Sequence, residues 1–142
     1  NEEVREAFKS KFQKEIYAGY GADQTTSLAS VNFPDRLDTD DWQVQVGNKV
    51  GTVGLPLPGS SFRIVEPDAM TSLPAGEDGL ILISGPQVMS GYLNAPAKTA
   101  DSLVEINGKR WYKTADKGHL DIDGYLVIVD RHVPRSGYDD MK

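Results

Sequence analysis

Tyr20-Gly21-Ala22-Asp23-Gln24, inside the stretch YAGYGADQTT, sets an aromatic ring, a flexible glycine, a carboxylate and a carboxamide in succession. A turn of this make-up can lay a ring on a flat ligand, approach it with bare backbone and offer oxygen atoms beside it. That is the make-up of a nucleotide-binding turn. On its own GYGADQ is too short to cradle a triphosphate, and the chain has neither a G-x-x-x-x-G-K-S/T loop nor a G-x-G-x-x-G fingerprint. Elsewhere chemistry-bearing residues are sparse. His119 and His132 stand apart from any metal-ligand spacing, so a hydrogen-bonded or solvated role fits them better than ligation. Asp121-Ile122-Asp123-Gly124 resembles the opening of a calcium loop, but no glutamate follows at the twelfth place, and a tight turn is the simpler reading. Tyr20, Trp111, Tyr112 and Tyr125 could form a ligand platform, although strand aromatics usually pack in a core. The acidic group DTDD reads as a solvated loop.

The elements that must position these residues change character along the chain. EEVREAFKSKF places Val4, Ala7, Phe8 and Phe12 on one helical stripe, acidic residues first and basic ones after, as the macrodipole favours. KEIYAGYGADQ predicts a short strand entering a Gly-containing turn, and TTSLASVNF a second extended stretch ended by Pro34. Residues 34–49 are polar and irregular and predict a surface loop. From Gly51 the pattern becomes short strands between Gly and Pro: SFRIVE, GLILIS, then a helix over PAKTADSLVEING, then two strands joined by DIDG. The fold class expected is α+β, a small distorted β-barrel or sheet preceded by a helix–strand unit.

Composition bounds the function classes. The 142 residues suffice for one core. A net charge of −6, with no run of Lys or Arg, argues against a nucleic-acid partner. The absence of cysteine excludes disulfides, thiolate metal sites and a cysteine nucleophile. No apolar run approaches the ~20 residues of a membrane span, and no signal peptide is visible.

Three segments, in order and spacing, resemble the adenylate-forming (AMP-binding) superfamily of acyl-CoA and acyl-carrier-protein synthetases. The helix followed by GYGADQTTSLASVN is similar to the family's G-Y-G-x-T-E segment. GTVGLPLPGSSFRIVEP through LPAGEDGLILISGPQVMSGYLN resembles its G-x-x-G-x-P-x-P-G and G-P-x-V/I-M-x-G-Y block, and WYKTADKGHLDIDGYLVIVDR its W-x-x-T-G-D-x-G-x-x-D-x-D-G pattern. GPQVMSGYL and VDR point to the fatty-acyl branch, including the synthetase domain of 2-acylglycerophosphoethanolamine acyltransferases.

The resemblance implies an ATP-dependent ligase that converts a fatty acid to an acyl-adenylate and passes the acyl group to a thiol of CoA or an acyl carrier protein. The work would belong to fatty-acid or phospholipid metabolism, in the cytoplasm, with membrane association only through other parts of a longer protein. It implies ATP or AMP and magnesium as cofactors. Tyr20 would stack on adenine, Gly21 and Ala22 would line the base, Asp116 would take the ribose hydroxyls, and Arg131 would lie near the ribose. The domain reading is residues 1–50 for the helix, strand and adenine turn, 51–131 for the β-barrel, and 132–142 for the start of a hinge. The phosphate loop and acyl pocket are expected upstream and a lid domain downstream, so this segment is expected to be inactive alone.

The departures are specific. Asp23 replaces the family's α-phosphate Thr, setting an anion near an anion. Gln24 replaces a magnesium-ligating Glu, keeping an oxygen without its charge. Ala115 replaces the Gly of T-G-D, at a cost on the order of 1 kcal/mol if that backbone is left-handed. These changes keep a second reading open, that of a degenerate homologue serving as a scaffold or interaction domain.

Overall fold

The computed structural model describes residues 2–38 and 40–130. Helix α1 (Glu2–Phe12) is followed by β1 (Gly19–Ala22), a single 3-10 turn (Asp23–Thr25) and β2 (Ser27–Val31). The two strands pair antiparallel, with a bulge between Tyr20 and Gly21. Gly21 is required there, because a Cβ would sit 1.7 Å from the carbonyl oxygen of Ser27. The polar stretch after Pro34 is partly ordered: β3 (Arg36–Leu37) pairs with β4 (Val44–Gln45) as a small exposed hairpin. Its strands are only two residues each, too short to show alternation in the sequence.

β5 (Leu55–Pro56) pairs with β2 and completes a three-stranded sheet. The larger sheet contains β6 (Ser61–Val65), β7 (Gly79–Ser84), β8 (Leu103–Ile106), β9 (Lys109–Leu120) and β10 (Leu126–Asp130). Its order is β6-β7-β9-β10, with β8 on the same side of β9 as β10. The twelve-residue β9 serves both neighbours, its first half paired with β8 and its last residues with β10.

Helix α2 (Pro96–Ser102) starts where the sequence places it but ends at Ser102. LVEI, expected to continue the helix, is instead β8. The reason is the Asn107–Gly108 pair, whose φ values of 53° and 73° are those of a two-residue reversal that turns β8 directly into β9.

Val53 donates to the carbonyl of Leu126 and Leu126 to that of Gly54, curling the small sheet against the large one. Between them lies the core of Tyr20, Ala29, Ile64, Ile81, Ile83, Tyr112 and Leu126. This is the α+β half-barrel expected after Gly51. Helix α1 forms over the expected residues but has no buried residue, and Val4 and Phe12 are 61% and 53% exposed. Its apolar stripe is present, with the Phe8 and Phe12 rings 4.7 Å apart, but no described element covers it.

Candidate nucleotide site

The curl brings together residues from four distant parts of the chain. Tyr20 donates its phenolic hydroxyl to Asp116 at 2.5 Å, a bond spanning 96 positions. Asp116 is aimed by a bulge in β9, where Leu80 faces Lys117 and Leu82 faces Lys113, so that three β9 residues stand against one on β7. Bulges re-aim side chains beside sites in this way. At its centre Ala115 has φ +63°, the left-handed conformation that favours glycine. The loss of glycine from T-G-D therefore falls where it costs energy. Thr114, beside it, donates to the carbonyl of Ile81 and accepts from the N–H of Asp116, holding the bulge shut.

The 3-10 turn is built around Thr25. Its buried hydroxyl accepts from the N–H of Ala22 and lies within hydrogen-bonding distance of the carbonyls of Ala22 and Ser27. Within that turn Asp23 is exposed, and no hydrogen bond or ion pair engages its carboxylate among the described residues. Gln24 is engaged twice: its backbone carbonyl accepts from Met89 N–H at 2.8 Å, and its Nε2 donates to the Tyr92 hydroxyl at 2.8 Å. The Lys98 ammonium lies 4.2 Å from the Tyr92 ring centroid. Tyr112 is a buried residue of β9. Burial pushes its phenol up to about 12, and Tyr92, Asp116 and Asp23 add to the rise by their negative charge.

The sequence-expected residues thus divide. Tyr20, Asp116, Asp23 and Gln24 share one neighbourhood, and Gly21 and Ala22 form the strand beside it. Arg131 and His132 lie outside the described residues, as does the segment 132–142. Tyr20 differs from the expected open stacking platform. It is 2% exposed, and its ring packs in the core 6.5 Å from that of Phe62. The bulge at Gly21 turns the ring inward, so its polar contribution is the hydroxyl. Tyr92 was not singled out in the sequence, and Tyr112 only as one strand aromatic among four. No local pattern marks them, because their relation to Gln24 and Asp116 is set by sheet closure.

The remaining candidates are structural. His119 Nδ1 lies 2.6 Å from Asp78. In the DIDG turn the cation is the ammonium of Lys49, 2.6 Å from Asp121 and 2.8 Å from Asp123, whose charges hold Lys49 well above its ordinary range. Trp111, Tyr112 and Tyr125 are core residues, 4%, 7% and 4% exposed. A cavity of about 530 Å³ lies not at the turn but between α1 and residues 48–53, where Val4, Ile16, Val50 and Val53 give it an apolar lining. It lacks convergent acidic and aromatic groups, and we place the site by the Tyr20–Asp116 convergence instead.

The sequence profile described as AMP-binding enzyme matches residues 1–93, well over half of the chain. The chain belongs to this family. It is 35% identical over 130 residues to 4-coumarate–CoA ligase-like 4 of Oryza sativa subsp. japonica, a match covering 91% of this chain and 21% of that protein. It is 30% identical over 129 residues to a long-chain-fatty-acid–CoA ligase of Bacillus subtilis (strain 168), covering 91% and 20%. Among solved structures it superposes on apo MatB from Rhodopseudomonas palustris with a TM-score of 0.73 and 29% identity, covering 92% of this chain and 23% of that one. The chain therefore spans about a fifth of the length of these curated relatives. The AMP-binding family uses ATP, and an ATP-bound form of the same MatB superposes with a TM-score of 0.71. Among the described residues no helix is long and apolar enough to cross a membrane.

Proposed function

We propose that this chain is the nucleotide-handling segment of an acyl-activating ligase, which joins a carboxylic acid to ATP as acyl-AMP with release of pyrophosphate, then forms a thioester on CoA with release of AMP. The relatives named as CoA ligases support CoA over an acyl carrier protein as acceptor, and their names support a fatty or aryl acid as substrate. The observation that carries the reading is the bond between Tyr20 and Asp116 across the bulge at Ala115. It fixes a carboxylate whose other oxygen, unengaged among the described residues, can accept from vicinal hydroxyls, as a ribose would require.

In this reading Asp116 orients the nucleoside and Tyr20 holds Asp116. The strand at Gly21 and Ala22 offers an edge to the base, and Arg131 adds a cation on the ribose side. Tyr112, kept protonated, supplies a hydroxyl in place of a third negative charge. Magnesium is commonly held by one or two carboxylates together with substrate phosphates. Asp23, exposed and unengaged among the described residues, and the amide oxygen of Gln24 are the groups here that fit that pattern. The ion would neutralise phosphate charge when bound. No group of three or more metal-ligating side chains exists among the described residues, so the phosphates would have to complete its shell. Residues outside this chain would supply the acyl pocket and the thiol-transfer step, and the chain alone would not turn over.

The test is ATP–pyrophosphate exchange driven by a panel of fatty and aryl acids, using a protein of the relatives' full length that carries this segment. Exchange with any acid supports the ligase. Its absence from a folded protein favours the degenerate homologue, a reading supported by the left-handed Ala115 and by the neutral, Tyr92-bound Gln24. Asp23→Thr, Gln24→Glu and Ala115→Gly together separate the two: recovered exchange means decay, and lost exchange means that the altered site works as it stands.

A further inference from the structure

The face of the large sheet turned away from the core gathers cations. Directly paired residues on antiparallel strands share a face, so the register sets Arg63, Leu82 and Lys113 in one row and Val65, Leu80 and Lys117 in another. Val104 with Trp111 and Ile106 with Lys109 continue the same surface. The Arg63 guanidinium and the Lys109 ammonium lie 4.8 and 4.9 Å from the Trp111 ring centroid. None of the four cations is ion-paired among the described residues, in a chain with 21 acidic and 15 basic side chains. The carboxylates that share this face, Asp78 and Asp130, lie at the Lys117 end, and Asp78 is already bound to His119.

Shielding of the sheet by long aliphatic stems explains why Val65, Leu82 and Trp111 are buried. It does not explain why the heads are all positive, nor why the buried indole Nε1 of Trp111 has no hydrogen-bond partner. We propose that this face docks an acidic, extended polypeptide segment running along β9. Lys109 and Lys113, four residues apart, present charge on one face at intervals of roughly 13 Å, a spacing met by every second outward carboxylate of a strand. A membrane surface fits less well, because on this face Val65, Leu82 and Trp111 are buried and Leu80, Val104 and Ile106 half-buried, and the whole chain is acidic. A nucleic acid would need exposed rings to stack on, and Trp111 is 4% exposed. The inference does not depend on the ligase reading.

The experiment uses this chain and a fluorophore-labelled (Glu-Thr)6 peptide, with binding followed by anisotropy. Trp111 emission is followed in Trp42→Phe, which leaves Trp111 as the sole tryptophan. Saturable binding is expected at low salt, weakening as salt screens it, with a change in Trp111 emission. Lys109→Gln with Lys113→Gln should weaken binding about tenfold, while Lys11→Gln with Lys14→Gln, the same loss of charge on the helix side, should leave it unchanged. Circular dichroism checks that each variant is folded. Equal weakening by both pairs, a silent Trp111, no peptide binding, or tighter association with vesicles containing anionic phosphatidylglycerol would each overturn the proposal.

Discussion

Two aspartates, one within β9 and one just past its end, make the instructive contrast. Asp121, just past the end of β9, accepts from the N–H groups of Asp123 and Tyr125 and is bridged by the ammonium of Lys49. Burial alone would raise its carboxyl, but Lys49 and the two N–H groups outweigh that and hold it below the ordinary range. Asp116, five residues earlier, has a left-handed neighbour and, among the described residues, a single phenolic side-chain donor and no cation. A carboxylate with its acceptors filled belongs to the fold. One left partly open on a strained bulge is available to a ligand.

The variants that break this contrast rank by expected effect. Asp116→Asn should weaken AMP binding by about one to two orders of magnitude, the scale of a hydrogen bond to a charged group, with little loss of stability; isothermal titration and urea unfolding read the two effects separately. Asp121→Ala should do the reverse, costing about 1–2 kcal/mol in urea unfolding through its two unsatisfied N–H groups and leaving AMP affinity unchanged. Ala115→Gly should stabilise the chain by about 1 kcal/mol by relieving the left-handed backbone. A decrease in stability would mean that the methyl contributes packing not evident at this exposed position.

The last effect shows only at alkaline pH. A phenol raised from 10.0 to about 12 keeps its proton longer in the folded state than in the unfolded one. Between those values the native chain binds more protons, so this contribution to stability is fully present below pH 10 and is lost as pH rises toward about 12. Burial also raises Tyr125, which adds to the same slope. Tyr112→Phe should flatten part of this alkaline loss, measured by urea unfolding across the range. An unchanged slope would remove Tyr112 from the site's electrostatics.

Much of the framework was legible because it is locally encoded. Short strand-forming runs SFRIVE and GLILIS between Gly and Pro, Pro at the start of α2 and Asp-Gly punctuation after β9 each act over a few residues, and each element formed. The Asn107–Gly108 reversal was equally local, yet the helical spacing of the preceding residues obscured it. The burial of α1 could not be read, since an apolar stripe specifies a face but not what covers it. The site was half legible: the Tyr20 turn and Asp116 stand in motifs, whereas Tyr92 and Tyr112 join them only through closure of two sheets over distances of tens of residues. The conformation of Ala115 was conditional in the sequence, because left-handedness follows from a bulge whose register depends on β7.

The most direct test is an AMP titration of the isotopically labelled chain followed by amide NMR shifts. Saturable shifts are expected at residues 19–25, 92 and 112–116 and at Arg131, abolished by Asp116→Asn and retained in Asp121→Asn. Shifts clustered at the cavity beside α1, or shifts that persist in Asp116→Asn, would contradict this expectation.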